Sequence, residues 1–216
     1  EVETIRRGIT PYLKNRSVIK VVVRQPRLRW PITPDLNKKL VGVRFSAIDR
    51  RGKYLLLNVK IGTLMIHLGM SGSLRIMPAK AMPLLHDHVD VVLDDGFCLR
   101  YHDPRRFGSI HWLTHLDHPL LKSLGPEPLN HDFSGQYLYD LSQTRRLSVK
   151  QFIMNAKVVV GVGNIYANEA LFLAGVNPMR SARRISLRRY ERIAEAIKTV
   201  LQDAINEGGT TLRDFV

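Results

Sequence analysis

Cysteine is nearly missing from this chain. Cys98 stands alone, which excludes an internal disulfide and any multi-cysteine metal site made by these residues. Long apolar runs are missing as well: no stretch approaches the ~18 residues a membrane span needs. The opening EVETIRRG lacks a signal peptide's apolar segment, so the expectation is a cytoplasmic protein with no membrane partner. No internal repeat, serine–histidine–aspartate arrangement, phosphate-cradling loop or nucleotide-binding fingerprint occurs. Acids are scarce, with 19 Asp+Glu against 33 Lys+Arg, a net charge of +14. What is present is ordinary for a globular chain: 44% hydrophobic residues in 216, enough for one large domain or two small ones. A folded, strongly basic chain points to a polyanionic partner, nucleic acid ahead of an acidic membrane surface.

The positive charge is concentrated. Residues 141–190 hold nine Lys or Arg against Glu169 alone, whereas residues 191–216 carry more acids than bases. Residues 2–13 place Val2, Ile5, Ile9 and Leu13 at helical spacing, with Gly8 and Pro11 expected to kink that helix or end it early. From Val18 to Leu113 the texture is that of strands. VIKVVV, VGVRFSAI, KYLLLNV, TLMIHL, HVDVVL and FCLRYH are separated by turn signals such as Asp95-Gly96, so six strands in a β-sandwich or barrel are expected. Leu124-Gly-Pro-Glu-Pro-Leu129 then reads as a linker, and helical periodicity follows. Ser186 is a candidate N-cap, Ile193, Ile197, Val200, Leu201 and Ala204 form an apolar stripe, and Gly208-Gly209 ends the helix. The fold class expected is α+β. An N-terminal β-sandwich domain with a flanking helix spans 1–120, a linker 121–134, and a helical domain 135–216.

Three segments have the makings of chemistry. Val158-Val-Val-Gly-Val-Gly-Asn-Ile-Tyr-Ala-Asn-Glu169 places two glycines and Asn164 between two helical runs, a helix–turn–helix variant. Its turn presents backbone N–H groups to a phosphate, and Asn164 is expected to cap the second helix, unless the glycines serve tight packing alone. Leu99-Arg-Tyr-His-Asp-Pro-Arg-Arg-Phe-Gly108 sets a turn at Asp103-Pro104 and puts Arg105, Arg106 and Phe107 at its tip, suited to phosphate and base contact if Phe107 is not packed inward. His67-Leu-Gly-Met-Ser-Gly-Ser-Leu-Arg75 carries Met70 either on a mobile tip or in the core. His86 and His88 alternate on one strand face with no obvious third metal ligand, so phosphate donation fits them better than a metal. Lys53, at a strand entrance, reads as a snorkelling lysine or a functional one.

Taken in order, EVETIRRG, RLRWP, GKYLLL, IHLGMSGSLR, HDHVD, LRYHDPRRFG, LGPEPL, VVGVGNIYANE and GGTTLRDF resemble the formamidopyrimidine-DNA glycosylase family of bacterial base-excision repair enzymes, over essentially all 216 residues. The resemblance implies a β-sandwich domain and a helix–two-turn–helix domain with lesion-bearing double-stranded DNA in the cleft between them, acting as a monomer in the bacterial cytoplasm. It implies excision of oxidised purines such as 8-oxoguanine and formamidopyrimidines, followed by strand cleavage at the abasic site. Residue by residue it assigns Lys53 to support of β-elimination and His86, Arg105, Arg145, Lys150 and Asn164 to DNA contacts. Met70, Arg105 and Phe107 it assigns to the space left by an everted base, a logical use of an apolar wedge plus a cation because eversion costs a few kcal/mol.

Family members carry Met-Pro-Glu-Leu-Pro ahead of this Glu-Val-Glu-Thr, and after Met removal the proline amine is the nucleophile. They also end in a four-cysteine zinc finger. Neither lies within this sequence, so the 216 residues alone are expected to be inactive, with zinc belonging to the full-length protein and no metal held by the residues present. Two other readings compete: an endonuclease VIII-like glycosylase for oxidised pyrimidines, against which the Arg105-Arg106-Phe107 loop argues, and a non-enzymatic nucleic-acid-binding protein.

Overall fold

The computed structural model describes residues 1–208, which form two compact units, 1–118 and 119–208. The GGTTLRDF motif beyond Gly208, with Gly209, lies outside the described residues.

The first unit opens with helix α1 (Val2–Leu13), which runs unbroken through Pro11. The helix does not end early: it reaches Leu13, two residues past Pro11, which forgoes the one bond an amide there would donate to the Arg7 carbonyl. Ile9 and Leu13 are fully buried on the stripe that the spacing marked out. Eight strands follow, with a short helix α2 (Leu36–Leu40) after β1. They are β1 (Val18–Val23), β2 (Phe45–Arg51), β3 (Tyr54–Val59), β4 (Gly62–His67), β5 (Ser73–Pro78), β6 (Asp87–Leu93), β7 (Phe97–His102) and β8 (Ser109–Leu113). They form two antiparallel four-stranded sheets, ordered β1-β6-β7-β5 and β2-β3-β4-β8. Two strands exceed the six expected: β5 emerges from the glycine-rich segment and β8 follows the arginine loop directly. Both are stabilised by pairing with distant partners, Ser73 with His102 and His67 with Ser109, which local pattern does not encode. Inward residues of the two sheets and of α1 and α2 make one apolar core, including Leu13, Leu36, Phe45, Leu57, Val91 and Leu99.

The second unit holds α3 (Pro119–Lys122), α4 (Gly135–Ser142), α5 (Val149–Met154), α6 (Asn164–Leu173) and α7 (Leu187–Asn206). The Pro/Gly segment packs within it: Gly125 N–H donates to the Ala156 carbonyl at 2.8 Å and Val160 N–H to the Pro126 carbonyl at 3.2 Å. Ile193 and Ile197 bury the α7 stripe in one core with Phe133 and Phe152, Val200 is buried as well, and Leu201 is half-buried at the edge. Ser186 occupies the N-cap position without a side-chain cap, and α7 stops two residues before Gly208, whose φ of 79° is the left-handed region glycine favours.

Candidate nucleic-acid interface

In the first unit, Lys53 sits at the tip of the β2–β3 hairpin, just after Gly52, whose φ of 57° lets the turn close. Arg50, on the same hairpin, donates from one guanidinium N–H to the Gly52 carbonyl at 2.9 Å and from Nε to Glu3 of α1 at 3.2 Å. Glu3 also accepts from Arg6 at 2.7 Å and Arg7 at 2.9 Å, and these donors, Arg6 foremost, pull its carboxyl down to about 2. The start of α1 is thereby fastened to the lysine-bearing turn. Lys53 is exposed as a residue, yet desolvation at its ammonium lowers its pKa, opposed by the negative charge of Glu1. A lowered lysine keeps more of its amine available for proton transfer.

Beside Lys53 stands a residue the sequence reading counted only among histidines. His67 ends β4, pairs with Tyr54 of β3, and stacks at a tilt on the Tyr54 ring with centroids 4.8 Å apart. Desolvation first, and then the charges of Lys53 and Arg29, push its pKa down to about 4, so the ring is neutral at pH 7. Its Nδ1 accepts from the Gly69 N–H at 3.0 Å, which leaves the proton on Nε2 as a neutral donor. Only its place at the end of an alternating strand, next to the Met70 loop, gave a signal in the sequence.

Met70 lies on loop 68–72 and Arg105 and Phe107 on loop 103–108, and the two loops touch. Met70 is 76% and Phe107 43% exposed, which settles both open alternatives in favour of the surface. The Arg105 guanidinium carbon lies 4.6 Å from the Phe107 ring centre, so the cation and the ring present one composite face. A Cβ added to Gly69 would meet the Phe107 carbonyl carbon at 2.6 Å, so glycine is required for the loops to approach this closely. His86 lies just ahead of β6, its ring centre 5.9 Å from that of His102 and 6.3 Å from that of His88. Its neighbours are engaged internally: His88 Nε2 bonds the Asp103 carbonyl and His102 Nδ1 the Asp87 carboxylate, each at 2.8 Å.

In the second unit, Lys150 and Asn164 line one cleft of about 550 Å³ with Ser148, Gln151, Met154 and Met179. The expected capping role of Asn164 does not hold. Gly163 is the N-cap, Asn164 is the first residue of α6 and exposed, and no side-chain hydrogen bond caps the helix. Gly163, extended at φ −95° and ψ −177°, already turns the chain into the helix, which leaves the Asn164 amide for a partner in the cleft. Arg145 is exposed just before α5, in a stretch that pairs with 180–183: Arg183 N–H donates to the Arg145 carbonyl and Ala182 N–H to the Leu147 carbonyl. Arg145, Arg146, Arg180, Arg183 and Arg184 are thus gathered on neighbouring backbone, all exposed.

Among the described residues no group of three or more His, Cys, Asp or Glu is placed to hold a metal ion, and a four-cysteine finger cannot be built from a chain with one cysteine. No described helix is long and apolar enough to cross a membrane.

Comparison with known proteins adds a lineage to this geometry. Residues 1–110 match the formamidopyrimidine-DNA glycosylase N-terminal domain and residues 124–216 the formamidopyrimidine-DNA glycosylase H2TH domain. A formamidopyrimidine-DNA glycosylase of Nitrosococcus oceani is 59% identical over all of this chain and 80% of its own length, and one of Pseudomonas aeruginosa is 57% identical with the same coverage. Among solved structures, the MutM (Fpg) protein of Thermus thermophilus superposes with a TM-score of 0.87 at 35% identity, over 98% of this chain and 77% of that one. The Lactococcus lactis Fpg in complex with Fapy-dG-containing DNA gives 0.91 at 28% identity, over 99% and 82%.

Proposed function

The chain belongs to the formamidopyrimidine-DNA glycosylase family, and from that premise we propose that it excises oxidised purines from duplex DNA and then cleaves the strand at the abasic sugar. The glycosylase class, in base excision repair, follows from the family. The single observation that carries the finer reading is that exposed Met70 and the Arg105–Phe107 pair sit on two touching loops, an apolar and cationic set suited to the space an everted base leaves.

The chemistry is amine catalysis. An amine nitrogen attacks C1′ of the lesion nucleotide, the bond from C1′ to the base breaks, and the base leaves with a proton. The sugar ring then opens: the C1′–O4′ bond breaks, O4′ takes a proton, and the iminium so formed acidifies the C2′ hydrogen, whose removal expels the 3′ oxygen and cuts the strand. In the family the nucleophile is the N-terminal proline amine, which is not among these residues. The charge of Glu1, the residue just ahead of α1, acts on Lys53 and opposes the desolvation that lowers its pKa. Lys53, with its lowered pKa, is the group suited to shuttle protons during elimination, and neutral His67 the group to hold a phosphate by Nε2–H. His86, Arg105, Arg145, Lys150 and Asn164 contact DNA, the last two from one cleft. The β-sandwich unit carries the reaction and the helical unit grips the duplex, as a monomer, in the bacterial cytoplasm. Zinc belongs to the family's four-cysteine finger, a ligand set that Cys98 alone does not supply.

The 216 residues alone bind duplex DNA without releasing 8-oxoguanine. Borohydride trapping tests this on 8-oxoguanine duplex, comparing the chain as it stands with one carrying Pro-Glu-Leu-Pro ahead of Glu1. Trapping is expected only with the extension, because even a displacement of about 1 Å costs a nucleophile on the order of a hundredfold in rate. Equal trapping by both would place the nucleophile within residues 1–216. A duplex bearing an oxidised pyrimidine, cut faster than the purine lesion, would favour the endonuclease VIII-like specificity instead.

A further inference from the structure

Asp103 is fully buried, yet three neutral donors rather than a cation surround its carboxylate. Ser71 Oγ–H donates to Oδ1 at 2.7 Å, while the Tyr101 hydroxyl and the Gly108 N–H donate to Oδ2 at 3.1 and 2.9 Å. Its backbone is engaged as well. The Asp103 carbonyl accepts from Arg106 N–H at 3.2 Å and meets His88 Nε2 at 2.8 Å, and its N–H donates to the His86 carbonyl at 3.1 Å. Burying a carboxylate without a counter-charge is costly, and a domain whose core is already apolar gains little stability from doing so.

The donors themselves show what the cost achieves. Ser71 follows Met70 in the first loop, and Gly108 follows Phe107 in the second. One carboxylate therefore grips both loops, each at the residue after a wedge side chain. Ser71 Oγ also lies 3.4 Å from the Arg105 N–H, which brings the third member into the same network. The Tyr101 hydroxyl closes it from below: burial and the Asp103 charge raise its pKa, so it stays a donor. Arg106, between Arg105 and Phe107, takes the left-handed conformation at φ 54°, which turns the chain so that the two side chains meet face to face.

We propose that Asp103 is the positioning residue of the everted-base plug, fixing Met70, Arg105 and Phe107 as one rigid unit before DNA arrives. This rests on reading the trio as that plug. Its benefit is preorganisation: loops already ordered lose less entropy when they enter a base stack.

The test uses the 216-residue chain and a duplex with 2-aminopurine beside 8-oxoguanine, whose fluorescence rises on unstacking. Asp103→Ala is expected to lower the amplitude at saturating protein roughly tenfold, the scale of a lost hydrogen bond to a charged group, and Ser71→Ala by a smaller factor. Asp103→Asn, which keeps an acceptor toward Gly108, should recover most of it. Affinity for undamaged duplex should be unchanged in all three. Should Asp103→Ala fail to fold, Ser71→Ala decides, since it removes only one part-buried loop hydroxyl. If Met70→Ala and Phe107→Ala lose the signal while the Asp103 and Ser71 variants keep it, the positioning role is overturned and the plug survives. If none of these variants changes the signal, the plug reading falls and takes the positioning role with it. Parallel loss of undamaged-duplex affinity in the Asp103 and Ser71 variants would mark a merely structural role.

Discussion

The two units spend their polar residues in opposite ways. Of nine buried polar or charged side chains among the described residues, all but Ser142 lie in the β-sandwich unit. There Arg100, 1% exposed, donates to both oxygens of Asp90 at 2.8 Å, Asp90 also accepts from Arg24, and Asp87 pairs with His102. The helical unit has an apolar core of Phe, Val, Ala and Ile side chains, and its arginines sit at the surface. A unit that must hold loops at fixed positions benefits from buried, directional bonds. A unit that binds a uniformly charged backbone benefits from mobile cations on a plain scaffold. The same +14 chain thus divides its work between geometry and adhesion.

The sharpest way to break that contrast is to delete one buried charge. Asp90→Ala leaves Arg100 without its main partner and should cost about 3–5 kcal/mol, read as a lower urea midpoint of the sandwich unit. A loss under about 1 kcal/mol would mean the buried network is decorative. On the other side, Lys150→Ala and Arg145→Ala should leave folding stability within about 0.5 kcal/mol. Each should weaken damaged and undamaged duplex alike and reduce the slope of log K against log[salt] by roughly one unit. Unaltered slopes in both would remove the helical unit from the adhesive role. A purely local device in that unit gives a smaller effect: Ser134 caps α4 by accepting from Tyr137 N–H at 3.1 Å, and Ser134→Ala should cost about 1 kcal/mol.

The mildest test is by acid. Glu3 is held at about 2, against an ordinary value of 4.5, so the unfolded chain takes up its proton at a higher pH than the folded one. Its contribution is therefore complete above pH 4.5 and fades as the pH drops toward about 2. Glu3→Gln should flatten the stability profile in that window and lower stability at neutral pH, while Arg145→Ala changes neither.

How far the sequence could be read also differs between the units. Alternation located β1, β2, β3, β4, β6 and β7, and a 3.6-residue period located α7, because each buries a face that the residues themselves declare. β5 and β8 escaped, being short and defined by their pairing partners. Pro11 misled in the other direction: it removes one hydrogen bond near the end of α1, and the helix still runs to Leu13. Among the candidate site residues, Lys53, Met70, Arg105, Phe107, Lys150 and Asn164 could be singled out because their motifs are contiguous in sequence. Asp103 was read as a turn former and His67 as one histidine among several. What distinguishes Asp103 is the hydrogen bond from Ser71 in a distant loop, and what distinguishes His67 is the Tyr54 ring and the Lys53 charge beside it, and both become visible only when strands are in register.

The close crossing of Gly69 and Gly108 bears on how such a protein can change over time. A Cβ on Gly108 would fall 1.8 Å from the Tyr101 hydroxyl and 2.5 Å from the His67 carbonyl, and one on Gly69 would strike the backbone of Phe107. Both glycines are therefore closed to drift, while Met70 and Phe107 beside them are exposed. Randomised libraries spanning the two loops should return survivors with altered tips and unaltered glycines. New substrate preferences would then arise by exchanging side chains on a fixed frame, rather than by lengthening or shortening the loops that carry them.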